Sequence, residues 1–162
     1  MAQSEFPNKP GVYTLILEIT KPTKEKIGGL NNQIFIRGFY AYTGSALGRS
    51  INLNARLSRH LAFKKNRHWH IDYLLSTRNI SLRAIIYVIT SIKAECQIVK
   101  VLENLPGIIV SIKGFGSSDC CSGCKSHLCY FPSISLDGTI SKVGKVYKNV
   151  LGSFQVFMKP NK

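Results

Sequence analysis

The chain has 162 residues, with 22 Lys and Arg against 8 Asp and Glu, a formal charge of +14, and 44% hydrophobic residues. That length suffices for one domain burying roughly two thirds of its unfolded surface, so neither a metal nor a disulfide is needed merely to fold, and the apolar content excludes disorder by composition. So large a positive excess repels itself in a compact fold unless a polyanion offsets it, which points to nucleic acid or an anionic membrane.

The longest apolar stretch, Ala84 to Thr90, is far shorter than the roughly 18 residues of a spanning helix, so nucleic acid is the expected partner and no membrane is expected. The start MAQSEFPNKPGVY has no basic segment followed by a long apolar run, so no secretory signal is expected. Cysteines number five, with Cys120, Cys121, Cys124 and Cys129 crowded together and Cys96 apart. An odd count of this kind does not imply a full disulfide framework, and the expected location is cytoplasmic, inside the cell.

Gly11 to Ile19 (GVYTLILEI), punctuated by Pro10 and Pro22, predicts a strand. Residues 20–33 carry Gly-Gly and Asn-Asn turn signals with room for a short strand, and IFIRGFYAYTG then resumes an extended pattern. Two antiparallel strands are expected, with Tyr40 and Tyr42 on one face and Phe39 and Ala41 on the other. Leu53, Leu57 and Leu61 recur every four residues, with Ser50 or Asn52 available as a cap, which predicts a helix to about Phe63. Arg56, Arg59, His60 and Phe63 then share an arc beside the leucines. HWHIDYLL predicts a short helical turn, LRAIIYVIT a central strand, and Ile92 to Leu105 a second helix ended by Pro106 and Gly107. From Ile108 onward the Gly, Ser and Cys content, with the apolar runs GIIVSI, HLCYF and SFQVF, predicts strands and tight turns on the same core. No repeat or linker is visible, so residues 1–162 are expected to form a single domain.

Three elements stand in a telling order: GVY opening the first strand, YTGSA ending the second, and ARLSRHL on the helix that follows. This order resembles the GIY-YIG endonuclease superfamily. FYAYTGSALG, ARLSRHL, KKNRHWHIDYLL and GFGSSDCCSGCKSHLCYF together resemble an uncharacterised branch of it, found alone or fused to endonuclease III-like glycosylases. The likeness covers about residues 11–131 and leaves 132–162 as a C-terminal extension. It implies an α+β fold, a small antiparallel sheet flanked by helices, here with an elaborated Cys-containing C-terminal third. It also implies divalent-metal-dependent endonucleolytic hydrolysis of DNA phosphodiesters, in repair or recombination, with a repair enzyme as a further partner. On this chain the resemblance makes Tyr13 and Tyr42 the two motif tyrosines, with Gly44 in a turn, Arg56 the helix arginine, His60 the histidine four residues on, and Glu95 the ligand of one Mg²⁺ or Mn²⁺. Val12 and Thr43 replace the isoleucines of the family name, and the stretch from Gly44 to Arg56 is longer than the common spacing. Both Arg49 and Arg56 therefore remain open as the arginine that reaches phosphate.

The residue chemistry stands beside that likeness. Phosphodiester hydrolysis needs a nucleophilic water, charge neutralisation on the non-bridging oxygens and help for the leaving group, and one divalent ion with a guanidinium supplies the last two. Tyr13 and Tyr42 could orient or deprotonate the water, provided that neighbouring cations favour phenolate; the alternative is a pair of half-buried strand aromatics. Glu95 projects between Val99 and Leu102 on the apolar side of its helix, so it must bind a cation or pair with Arg56 or another arginine. Glu103 is expected to reach solvent, and Glu18 is the weaker second ligand.

From Arg49 to Arg67 stand six basic residues (Arg49, Arg56, Arg59, Lys64, Lys65 and Arg67) with no acid, interleaved with Phe63 and Trp69. The run reads as a nucleic-acid contact face, with DNA expected over RNA, or more blandly as a solvated basic face. His68, His70 and Asp72 are either strand-spaced metal ligands or capping groups at a helix start, the latter being preferred. The segment Gly114 to Phe131 offers Cys120, Cys121, Cys124, His127 and Cys129 as soft ligands for zinc. Its Asp119-Cys pair and Ser126-His127-Leu128 belong to the pattern that the resemblance implies. A packing role for the thiols is preferred to zinc, and a disulfide is the third alternative. The rival to a nuclease is a non-catalytic nucleic-acid-binding module that keeps the fold.

Overall fold

The computed structural model of the chain describes residues 5–118, 120 and 122–161, so Asp119 and Cys121 lie outside the described residues. The architecture is α+β. A mixed-length but wholly antiparallel sheet of six strands runs in the order β6-β7-β4-β1-β5-β8. Its centre is β1 (Gly11–Ile19) between β4 (Gly38–Ala46) and β5 (Ile80–Ile89), β7 (Leu128–Phe131) lies outside β4, and the two edges are β6 (Ile109–Val110) and β8 (Gln155–Met158). Register sets Tyr13 opposite Gly44 and Leu15 opposite Tyr42.

Because side chains alternate along a strand, each face of the sheet collects its own core. Tyr13, Leu15 and Leu17 of β1 pack with Tyr40 and Tyr42 against α1 (Leu53–Leu61) and α2 (His70–Leu75), through Leu53, Leu57, Ile71 and Leu74. Val12 and Ile16 pack with Ala41, Ala84 and Ile86 on the opposite face, against Ile98 and Leu102 of α3 (Glu95–Glu103) and Val143, Val146 and Tyr147 of α4 (Leu136–Leu151). Asn52 caps α1, its side chain accepting from Ala55 N–H at 2.8 Å. The helix ends at Leu61, two residues earlier than the periodicity suggests, and leaves Phe63 94% exposed outside the arc.

Three expectations are corrected. The extended run IFIRGFYAYTG is broken at Ile36 and Arg37: β2 (Thr23–Lys26) and β3 (Asn32–Phe35) form a separate ribbon linked by a 3-10 turn at Gly28–Leu30, and only the second part of the run enters the main sheet. Residues 136–151, read as strands and turns, form the 16-residue helix α4, capped by Ser135 and stopped by Gly152 in the left-handed region. Gly44 lies inside β4, not in a turn. No helix among the described residues is long and apolar enough to cross a membrane.

Candidate functional site

The two motif tyrosines come from adjacent central strands. Tyr13 and Tyr42 lie on the face covered by α1 and α2, and both are buried. Their closeness depends on Gly44: a Cβ there would sit 2.7 Å from Tyr13 Oη. Gly116, at φ +67°, makes the same allowance for Tyr42, whose ring would lie 2.7 Å from a Cβ at that position.

Helix α1 delivers the next two groups one turn apart. His60 is buried and its Nε2 is 2.8 Å from Tyr13 Oη, while its Nδ1 has no hydrogen-bond partner among the described residues. Arg56 stacks its guanidinium 4.2 Å above the Trp69 ring centroid and makes no ion pair among the described residues. From the other layer, α3 brings its first residue, Glu95, to the same place, and Glu95 Oε2 is buried with no hydrogen-bond partner among the described residues. Tyr13, Tyr42, Arg56 and Glu95 thus line one cleft of about 220 Å³, joined on its far wall by His127, Cys96 and Gly116. Arg49 is exposed on the connection between β4 and α1 and is not among the residues lining this cleft, so of the two open arginines Arg56 is the one beside the tyrosines.

The site is dry enough to move its acid–base equilibria. Burial pushes Tyr13 well above the ordinary phenol value, with Tyr42 adding to the rise and Arg56 opposing it. Burial pushes Tyr42 up to about 12 against the pull of Arg56. His60 is held down to about 3, first by desolvation and then by Lys65, Arg56 and Arg59, which together outweigh Asp72. Near neutral pH the free protein therefore holds two phenols and a neutral imidazole, not the phenolate that the sequence chemistry required.

Around the cleft the basic run divides. Asp72, fully buried, accepts from Arg59 Nη1 and Nη2 at 2.7 and 2.9 Å and from the backbone N–H of His68 and Trp69 at 2.9 and 2.8 Å. His68, His70 and Asp72 thus form no metal site: Asp72 caps α2, and His70 Nδ1 accepts from Gly116 N–H at 2.9 Å. Arg59 is committed to that carboxylate. Lys65 donates to the His60 carbonyl at 2.6 Å, while Arg49, Lys64 and Arg67 are exposed, Arg67 lying over the Tyr73 ring. Glu18 pairs with Arg83, away from the cleft. Glu103, expected to reach solvent, is half-buried, and its Oε2 is buried without a hydrogen-bond partner among the described residues.

The cysteines are redistributed. Cys129 is buried in β7 as a core residue, whereas Cys96, set apart by the sequence, joins Cys120, Cys124 and His127 with all four ligand atoms within 4.8 Å of one another. Three thiols and an imidazole could hold a metal ion, and this soft set suits zinc better than magnesium or manganese. The one available signal for Cys96 is its place directly after Glu95. No curated protein and no solved structure matches the chain. One family model, described as Domain of unknown function DUF123, matches residues 12–149, a span that holds both tyrosines, Arg56, His60, Glu95 and the Cys/His cluster, and the chain belongs to that family.

Proposed function

We propose that the chain is a divalent-metal-dependent endonuclease of the GIY-YIG type that hydrolyses DNA phosphodiesters. The observation that carries the reading is the convergence in one cleft of Tyr13, Tyr42, an Arg56 with no ion pair among the described residues, and Glu95, whose buried Oε2 has no hydrogen-bond partner among them. A buried carboxylate oxygen without a partner is costly unless a cation meets it, so Glu95 fits the Mg²⁺ or Mn²⁺ that the resemblance implies; such ions take one or two carboxylates and complete their shell with water and phosphate oxygens. When bound there, the ion would supply Lewis-acid polarisation of the phosphate and stabilisation of the leaving oxygen.

The remaining work falls to the chain. Arg56, held in place by its stack on Trp69, presents forked donors that match two non-bridging oxygens and favour the charge that grows in the transition state. Tyr13, a phenol, acts with His60: its oxygen takes the proton of the attacking water as its own proton passes to His60 Nε2, 2.8 Å away, so the phenol is regenerated and the imidazole becomes imidazolium. Burial makes His60 a weak base in the free protein, and a phosphate in the cleft shifts it toward the charged form. Tyr42 borders the same cleft and orients the water. Arg49, Lys64 and Arg67 face solvent, where they would contact the flanking backbone.

The test is cleavage by the full chain with Mg²⁺ or Mn²⁺ on branched, nicked and single-stranded DNA and on RNA of the same sequences. Metal-dependent DNA scission is expected, lost in Tyr13→Phe and Glu95→Gln while DNA binding persists. Binding without scission of any substrate would reassign the chain as a non-catalytic nucleic-acid-binding module, and scission of RNA alone would overturn the choice of DNA.

A further inference from the structure

Behind the cleft, the segment between β6 and β7 (residues 111–127) forms no helix or strand among its described residues. Long irregular connections inside compact domains are uncommon and usually have a function or a local restraint. This one turns on Gly114, Gly116 and Gly123, all at positive φ, and its first part is tied to its end by Gly114 N–H to Lys125 O at 2.7 Å and His127 N–H to Phe115 O at 2.8 Å. Yet Gly116 and His127 form part of the cleft wall against which Tyr42 packs, so the segment must keep its shape for the cleft to exist.

The ligand atoms of Cys96, Cys120, Cys124 and His127 offer a restraint between the part of the segment around 120–124 and helix α3. Cys96 Sγ is 3.3 Å from Cys120 Sγ and 3.8 Å from His127 Nε2, and the widest separation in the set is within 4.8 Å. Tetrahedral zinc with Zn–S bonds of about 2.3 Å and Zn–N bonds of about 2.0 Å places neighbouring sulfurs about 3.8 Å apart and sulfur and nitrogen about 3.5 Å apart. The observed separations lie within about 1 Å of those values, so seating an ion asks for side-chain shifts of about 1 Å or less. Four protein ligands with no carboxylate among them make a closed, soft site, the pattern of a structural zinc. A disulfide would use two of the thiols and leave the third and the imidazole converging on nothing. Lys100, whose Nζ donates to Ser122 O at 2.9 Å, stands beside the loop and offsets the excess negative charge of three thiolates.

We propose that Cys96, Cys120, Cys124 and His127 bind one structural zinc ion that staples the segment 111–127 to the first turn of α3, directly beside Glu95. The site does not depend on the nuclease reading, because metal content is measured without nucleic acid.

The full chain, without a histidine tag, is reconstituted with Zn²⁺ under reducing conditions, dialysed against metal-free buffer and analysed for metal. One zinc per chain is expected, with the ion lost in Cys120→Ser and Cys124→Ser and kept in Cys129→Ser, whose thiol sits in the core. Replacement by Co²⁺ is expected to give the intense visible absorption of a tetrahedral thiolate site in the unsubstituted protein, which keeps the test decisive should a serine variant fail to fold. Chelation is expected to raise hydrogen exchange across 111–127 while β1 and β4 stay protected. Absence of zinc from the reduced, reconstituted chain would overturn the proposal, as would a full equivalent of zinc in the folded Cys120→Ser and Cys124→Ser proteins, or a Cys96–Cys120 disulfide in protein isolated anaerobically.

Discussion

Replacing Asp72 by Ala is expected to cost about 3 kcal/mol of unfolding free energy at pH 7, although the residue lies outside the cleft. The carboxylate is fully buried and receives four hydrogen bonds, two from the Arg59 guanidinium and two from the backbone N–H groups of His68 and Trp69, which lead into α2. Removing one partner of a buried pair costs about 3–5 kcal/mol, mainly because the other charge is stranded. Arg59 keeps 27% of its side chain exposed and a bond to Asn66 O, so its stranded guanidinium can turn to water, which favours the low end. Asp72→Asn keeps an acceptor for the capping N–H, worth about 1 kcal/mol, and should cost about 2. For a domain of this size a loss of ~3 kcal/mol lowers Tm by roughly 6–12 °C.

The pH dependence gives a second check on the same residue. Burial acts to raise the Asp72 carboxyl, but the Arg59 guanidinium and the N–H groups of Trp69 and His68 outweigh it and hold it below the usual carboxylate range. The unfolded chain, near the ordinary value of about 3.9, then binds the proton more readily than the folded one. The stabilisation is complete above that value and is lost as pH falls through the depressed folded value. Urea unfolding followed by circular dichroism should show a constant gap between the parent and Asp72→Ala from pH 7 to about 5, closing in stronger acid. A gap below about 1 kcal/mol at pH 7, or one that persists undiminished in acid, would refute the assignment.

Gly44→Ala should lower stability by about 1–3 kcal/mol, since its Cβ would meet Tyr13 Oη at 2.7 Å, whereas Gly29→Ala, with nothing within 4 Å, should change it by less than about 0.5; equal Tm values for the two variants would contradict the packing argument. His60, held near 3 by burial, binds its proton less readily than in the unfolded chain near 6.5, so stability should fall on acidification below that value, by about 2 kcal/mol between pH 6.5 and 5. Urea titrations should show this slope flattened in His60→Gln, and an unfolding free energy constant from pH 6.5 to 5 in the parent would contradict it. If Arg49, Arg56, Lys64, Lys65 and Arg67 neutralise about five phosphates, DNA affinity should fall by two to three orders of magnitude between about 50 and 200 mM salt, and a flat titration would remove the polyanion argument.

Local pattern made β1, α1, α2 and β5 legible: β1 and β5 are apolar, β-branched runs buried on both faces of the sheet, and the leucines of α1 recur along one buried face. Helix α4 had comparable signals in Leu136, Ile140, Val143 and Tyr147 between the cap Ser135 and Gly152. Gly138, Gly144 and several β-branched residues obscure them: propensity argues against a helix that packing on the sheet nevertheless stabilises. Just after the break in IFIRGFYAYTG, Gly38 opens β4 at φ +141° and the Tyr130 ring occupies the space where it would carry a Cβ, a long-range contact that spacing along the chain does not encode. Cys96 illustrates the same limit at the site. Its partners lie in a loop folded back from beyond β6, and spacing along the chain does not encode that return.

Two carboxylates of α3 have a buried oxygen without a partner among the described residues, and their surroundings separate them. Glu103 lies near the end of the helix, beside the Cys129 thiol, whose ionisation its charge opposes. Glu95 faces a cleft that also holds a guanidinium, and the simplest fate for the two would be a buried ion pair, the alternative that the sequence left open. No such pair forms among the described residues: Arg56 is engaged by the Trp69 ring instead, and the carboxylate stays alone. An occupant that presents a negative group to Arg56 and a positive one to Glu95 would satisfy both charges at once. On the nuclease reading proposed above, a phosphate accompanied by a divalent cation would carry both charges, with the Tyr13 phenol and the His60 imidazole, 2.8 Å apart, beside them.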